Sequence, residues 1–340
     1  MKSRREFLKE AATGAVLLGS QSTMGLAAAF GQHAENRRQE TGKSKVVVAR
    51  DAGLHGTSSL PDEQRVLDLL DKAMAAYTGR EKPVDAWKRV VPANILGSQV
   101  IGLKVNCLGG RGSSTHAVLV LSIAERLQQA GAHAGNIIVW DRNARDLQAC
   151  GLTISTESSR VRCFGSDVAG FEDEQAVWGS AQIRLSKILT RECAMVINLP
   201  ILKDHDMAGN TFSMKNMYGA VDRPNMLHSN NCNPGIADLN CIPAIRDKVR
   251  LTIGDAMSSV YQGGPGFRPE HLWYPNALIV GEDRVAVDST ALQMLDRKRV
   301  EAGLATLDAA GRTPHYIATA ADSAHRLGTN DPQRISLTEV

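Results

Sequence analysis

Val100-Ile101-Gly102-Leu103-Lys104-Val105-Asn106 is an apolar run of strand length, and Asn136-Ile137-Ile138-Val139-Trp140, ending at Asp141, is another. Between them the turn Gly109-Gly110-Arg111-Gly112-Ser113-Ser114-Thr115 opens a helical pattern over about residues 116–130. Val120, Ile123, Ala124 and Leu127 form its apolar face, and Gly131 is its stop. Strand, helix and strand in that order predict a parallel pair with the helix packed on the sheet.

The alternation continues outward in both directions. Upstream, residues 45–49 form a β-branched run. Pro61-Asp62 then opens a helix whose stripe is Val66, Leu69, Leu70, Ala73 and Tyr77, closed by Gly79. Downstream, a helix near residues 185–191 precedes a strand at 195–199. Val249, Leu251 and Ile253 alternate with Arg250 and Thr252 as a half-buried strand. Residues 277–280 make a further strand. A helix from about Ala286 follows, burying Val287, Ala291, Met294 and Leu295. This pattern predicts one α/β domain over residues 45–303, a mainly parallel sheet with helices on both faces. The mixed polar residues 304–340 read as a C-terminal extension.

The N-terminus carries a different kind of signal. Ser3-Arg4-Arg5-Glu6-Phe7-Leu8-Lys9 places paired arginines ahead of a moderately apolar stretch, and Ala27 and Ala29 give the small-x-small pattern that a signal peptidase cuts. That order predicts a twin-arginine signal peptide over residues 1–29, with the export machinery as partner and a periplasmic or otherwise extracytoplasmic location. Gly14, Gly19 and the polar run from Ser20 to Thr23 interrupt the stretch, so it is a poor membrane span. Residues 30–44 read as a flexible mature N-terminus.

Loss of residues 1–29 lowers the formal net charge from +3 to +1. No basic run remains, which excludes the electrostatic footprint of a nucleic-acid binder. The six cysteines include no Cys-x-x-Cys, so ferredoxin-type cluster ligation has no support. A chain folded in a reducing compartment before export disfavours disulfides. Cys232 and Cys241, close in sequence, are the one pair worth testing.

Ligands of open α/β sheets gather outside the carboxyl ends of the strands, and three polar clusters fall there. The first holds Lys104, Asn106, Ser114, Thr115 and His116, where glycines and a helix N-terminus suit an anion. It lacks both the Gly-Lys-[Ser/Thr] of a phosphate loop and the third glycine of a dinucleotide fingerprint. The second is Asn198-Leu199-Pro200-Ile201-Leu202-Lys203-Asp204-His205 with Asn210, Thr211, Lys215, Asn216 and Gly219. Lys203 and His205, two residues apart, share a side if the backbone stays extended. The third is Asp255 with the turn Gly263-Gly264-Pro265-Gly266. Between the last two, the Asn- and Pro-rich residues 222–235 carry His228 and Cys232 and read as a lid or a mobile loop. No two histidines have ligand spacing, so no metal ligand is assigned, and no cofactor is identified.

On these residues the chain resembles the bacterial and archaeal family called domain of unknown function 362, over roughly residues 100–303. The resemblance rests on the strand ending Lys104-Val105-Asn106, on Thr115-His116, and above all on Leu202-Lys203-Asp204-His205 with Met214-Lys215-Asn216-Met217-Tyr218-Gly219. Gly263 to Gly266 and Asp283-Arg284-Val285-Ala286-Val287-Asp288 complete it. It implies an α/β fold and a site around Lys104, Lys203, His205, Lys215 and Asn216, without a known reaction. Some members carry an iron–sulfur segment, for which this chain lacks the closely spaced cysteines.

Two functional expectations follow. In the first the protein is an exported enzyme acting on a small anionic or carbonyl compound. Lys203, His205, Lys215 and Asn216 are then catalytic, and Lys104, Asn106, Ser114, Thr115, His116, Asp255, Gly263 and Gly264 bind the ligand. In the second it is a non-catalytic binding or accessory protein of a periplasmic redox system or cofactor, using the same site.

Overall fold

The apolar runs become the strands of a large sheet. They are β1 (Ser44–Arg50), β2 (Val100–Val105), β3 (Ile137–Trp140), β4 (Arg162–Cys163), β7 (Cys193–Leu199), β8 (Ile201–His205), β9 (Gly209–Thr211), β10 (Val249–Val260), β11 (Leu272–Trp273), β12 (Ala277–Gly281) and β13 (Ile335–Glu339), while β5 (Ala176–Trp178) and β6 (Ala181–Ile183) form a separate hairpin. The computed structural model describes residues 42–340 apart from 57, 59 and 111. The expected signal peptide, its cleavage site and residues 30–41 lie outside the described residues.

The strand order is β13-β1-β12-β10-β7-β2-β3-β4, with β8 and β11 also paired to β10 and β9 paired to β8. From β10 to β4 every neighbouring pair along that order is parallel. Only β12, with its two neighbours, and the short pairs β8–β9 and β10–β11 are antiparallel. The sheet is therefore mixed and mostly parallel, as the strand–helix alternation predicts.

Both faces carry helices. Asp62 caps α1 (Glu63–Thr78) by accepting from the Arg65 N–H, and Gly79 ends it in the left-handed conformation at φ +69°. α1 packs with α2 (Pro83–Val90) and α3 (Ala117–Ala130). On the other face Val46, Val48 and Ile279 pack with Ala286, Val287 and Ala291 of α5 (Arg284–Glu301). α4 (Gly235–Cys241) and α6 (Tyr316–Ala321) join Trp140 and Val196 in an adjoining core. Val47 and Val280, the intervening residues of the period-two pattern, are equally buried and face α1.

Four details differ from the sequence reading. Order begins within residues 30–44, because Ser44 already pairs in β1 and its hydroxyl donates to Asp283 Oδ2 at 2.6 Å. The helix expected at 185–191 shrinks to one wide turn, Ile188–Glu192, because the N–H groups of Ser186 and Lys187 bond to the distant carbonyls of Ala220 and Gly170. β10 runs through 12 residues and is buried nearly throughout, being flanked by β7 and β12 under helices on both faces. Residues 304–340 pack into the same compact unit as the rest of residues 43–340: they include α6, and β13 pairs parallel to β1.

Candidate functional site

The parallel strands β2, β3 and β7 end at one edge of the sheet, and β8 continues beyond Pro200, which has no N–H for the ladder. There they border a cavity of about 560 Å³. Its walls include Asn106, Asp141, Lys203, His205, Thr211, Lys215, Asn216 and His228.

The cationic groups differ in how they are compensated. Lys104 is fully buried and its Nζ lies 2.7 Å from Asp141 Oδ1. That carboxylate also accepts the N–H groups of Arg142 and Cys107, so the pair closes on itself. Lys203 is buried too, yet its Nζ donates only to neutral oxygens: Leu108 O at 2.7 Å, Ser113 O at 2.9 Å and Asn106 Oδ1 at 3.2 Å. Lys215 donates to His228 Nε2 at 3.2 Å and sits 4.0 Å from the centre of the Tyr218 ring. Among the described residues no carboxylate oxygen comes within ion-pair distance of either Lys203 or Lys215. Burial pushes both ammonium groups down to about 8.

The two histidines hold opposite tautomers. His205 Nδ1 accepts from the N–H groups of Met207 and Ala208, both at 3.2 Å, which leaves its proton on Nε2. Asp206 Oδ1 lies 2.9 Å from the same Nδ1, but that side chain is solvent-exposed and itself accepts the Met207 N–H, so the neutral ring is the assignment. Burial first, then Lys215, His228 and Lys203, push His205 far down, to about 2. His228 Nδ1 donates to Pro224 O at 3.0 Å, so its Nε2 accepts from Lys215. The rings stack with centroids 5.8 Å apart.

Three donors thus face the cavity without an acceptor in it: the remaining protons of Lys215, His205 Nε2–H, and the buried Thr211 hydroxyl, which has no hydrogen-bond partner. An amide network sets their frame. Asn216 Oδ1 accepts from Asn106 Nδ2 at 3.2 Å, and Asn216 Nδ2 donates to Lys104 O and to Asn198 Oδ1. The turn that carries Lys215 and Asn216 is pinned from α5, where Asp288 accepts the N–H groups of Ser213 and Met214.

The structure therefore brings Lys104, Asn106, Lys203, His205, Lys215 and Asn216 together and leaves the other expected residues elsewhere. Thr115 bridges Asn106 N–H and Leu199 O. At the start of α3 the anion is the protein's own: the buried Asp255 carboxylate accepts the His116 backbone N–H and ring Nδ1, each at 2.8 Å. The N–H groups of Gly263 and Gly264 are likewise taken, by Asp204 Oδ2. None of Ser114, Thr115, His116, Asp255, Gly263 and Gly264 lines the cavity. Cys232 and Cys241 are free thiols with different partners, Tyr218 and His325 O.

Arg142 and Tyr218 line the cavity without having been singled out, and Thr211, His228 and Asp141 gain a place that sequence gave only by neighbourhood. Asp204 is the hidden organiser. Its buried carboxylate, between β8 and the glycine turn, meets Arg312 at 2.9 Å and Arg299 at 3.9 Å, so the C-terminal residues reach the site from behind.

A family model described as a domain of unknown function (DUF362) matches residues 101–293. The chain belongs to that family. The DUF362 segment holds every residue of the cavity wall named above, whereas Arg312 lies beyond it. No curated protein matches the chain. A crystal structure of a Thermotoga maritima protein, from the Northeast Structural Genomics Consortium, is similar over 70% of this chain at 11% identity with a TM-score of 0.44. The likeness covers 59% of that protein's chain.

Proposed function

We propose that this DUF362 protein is an exported enzyme that binds a small anionic, carbonyl-bearing compound in the cavity and moves a proton on it. One observation carries the reading: buried donors converge on a cavity in which two buried lysines have no carboxylate partner among the described residues. Burying a positive charge is costly unless an opposite charge compensates it, and a bound anion supplies that charge. Lys215 has protons left for direct contact with the anion. Lys203, whose three protons already meet protein oxygens, contributes its field.

His205 is the proton-transfer group. Burial first, and then the neighbouring cations, hold its ring neutral, with Nε2–H available to polarise a carbonyl oxygen. An anion seated on Lys215 removes part of the cationic repulsion, so the ring takes up a proton at Nδ1, beside Asp206 Oδ1, and gives its Nε2 proton to the carbonyl oxygen; ligand binding and proton transfer are thereby linked. Asn216 and Asn106 fix the frame, and Thr211 offers a further donor. The paired arginines and the small-residue cleavage site support export.

The test separates catalysis from binding. His205→Asn keeps a polar amide at the position of Nδ1 but has no group that can transfer the proton. It is expected to abolish turnover of an identified substrate while leaving affinity within a few-fold. If turnover survives His205→Asn, the assignment of proton transfer to His205 is wrong. If no turnover exists while anion binding does, the protein is a binding or accessory component.

A further inference from the structure

Cys107 follows β2 and Cys150 follows the helix Ala144–Ala149, yet the two residues meet. The Cys150 thiol donates to Cys107 O at 3.8 Å, and each thiol shifts the titration of the other. Cys107 is fully buried and Cys150 is 8% exposed, so a small reagent reaches Cys150 first. Beside them the buried Ser114 hydroxyl has no hydrogen-bond partner among the described residues and is one of the groups that lower the Cys150 thiol. A thiolate or sulfenate formed there gains a donor already in place.

The same short segment is wired to the cavity. The Cys107 N–H donates to Asp141 Oδ2 at 2.7 Å, and the next carbonyl, Leu108 O, is the nearest acceptor of Lys203.

We infer that Cys107 and Cys150 are a redox-modification pair, oxidised by a hydroperoxide to a disulfide that resets the charge environment of Lys203. The Cys150 thiolate attacks one peroxide oxygen, the O–O bond breaks, and Cys150 becomes a sulfenic acid as hydroxide (or an alcohol, for an organic peroxide) leaves. Cys107 sulfur then attacks the sulfenic sulfur; its proton and the departing hydroxyl leave as water. With hydrogen peroxide, two thiols and one peroxide give one disulfide and two waters. Cys150 is primed for the first step because the neighbouring Cys107 thiol, outweighing burial, lowers the Cys150 thiol below the ordinary range. Closing the sulfurs to a bond of roughly 2 Å draws the Cys107 segment toward Cys150, and Leu108 O moves with it.

The experiment exposes the full-length protein to hydrogen peroxide, counts free thiols and maps linked peptides. In parallel, trace acetylation with acetic anhydride reads the reactivity of Lys203 by mass spectrometry. The expected result is loss of two of the six thiols, one Cys107–Cys150 linked peptide that dithiothreitol removes, and at least a threefold change in Lys203 acetylation. Cys150→Ser should remain unlinked and show no Lys203 change. Because the wild-type map stands alone, a variant that fails to fold leaves the test intact. Six surviving thiols, a linkage elsewhere, or oxidation of Cys150 without linkage overturns the pair. A Cys107–Cys150 bridge with unchanged Lys203 overturns its coupling to the cavity. None of these outcomes depends on the cavity's ligand.

Discussion

Lys203 and Lys215 each hold an ammonium group largely withdrawn from bulk water, and burial lowers the basicity of both. Lysine is ordinarily half-deprotonated near 10.5, and here both groups reach that point at about 8. The sign of the pH effect follows directly. Below pH 8 both are cations and attract an anion; as pH rises through 8 the charges go and the attraction with them. Oxalate, whose own charge is constant over this range, is therefore expected to bind at least about tenfold more weakly at pH 9 than at pH 7. Calorimetric titrations at the two pH values check this, and equal affinities would show that neither lysine carries the binding. His205, which burial and the neighbouring cations hold neutral, contributes no titration of its own over the same interval.

At the scale of elements, the site depends on the residues that lead into the short 3-10 helix Lys215–Ala220. Residues 213–216 are held by Asp288 on α5, which accepts two buried N–H groups at 2.6 and 3.1 Å. Burial pushes its carboxyl up to about 7, so its hydrogen bonds must offset an unfavourable desolvation. Asp288→Ala leaves both N–H groups orphaned and should destabilise the fold by about 3 kcal/mol, read as a lower urea midpoint. Asp288→Asn, which keeps an acceptor, should recover much of that. An alanine variant as stable as the wild type would remove Asp288 from its anchoring role.

Sequence made one half of this architecture legible. Lys203 and His205 alternate with Leu202 and Asp204, so the period of a strand places them on one side, and the cavity has both. Asn106 and Lys104 were legible as the end of a buried strand. Thr115, His116, Asp255, Gly263 and Gly264 stand outside the cavity wall because each bonds to a residue far along the chain, such as Asp255 to His116 across 139 positions. Spacing alone shows that an N–H or carboxylate stands at a strand end, not whether the protein itself satisfies it. The C-terminal residues misled for a related reason: Arg312 finds Asp204 only through the tertiary fold.

For the molecule as a whole, the pieces are an N-terminal twin-arginine pattern and one compact unit whose sheet takes a strand from its last residues. β13 joins β1, so the sheet is completed by residues 335–339, an arrangement that fits the proposed export of a folded chain. Arg4→Lys with Arg5→Lys is expected to leave the chain uncleaved in the cytoplasm, as cell fractionation would show; unchanged export of that variant would rule out the twin-arginine route. The central claim is that a small anion completes the buried lysine pair, and the most direct measurement is calorimetric titration of oxalate, malonate, succinate and phosphate into the protein and its Lys203→Met/Lys215→Met variant at pH 7. The account predicts saturable, one-to-one binding of at least one of these anions to the wild type and at least a tenfold loss in the folded double variant. Binding to neither protein, or equal binding to both, would contradict it.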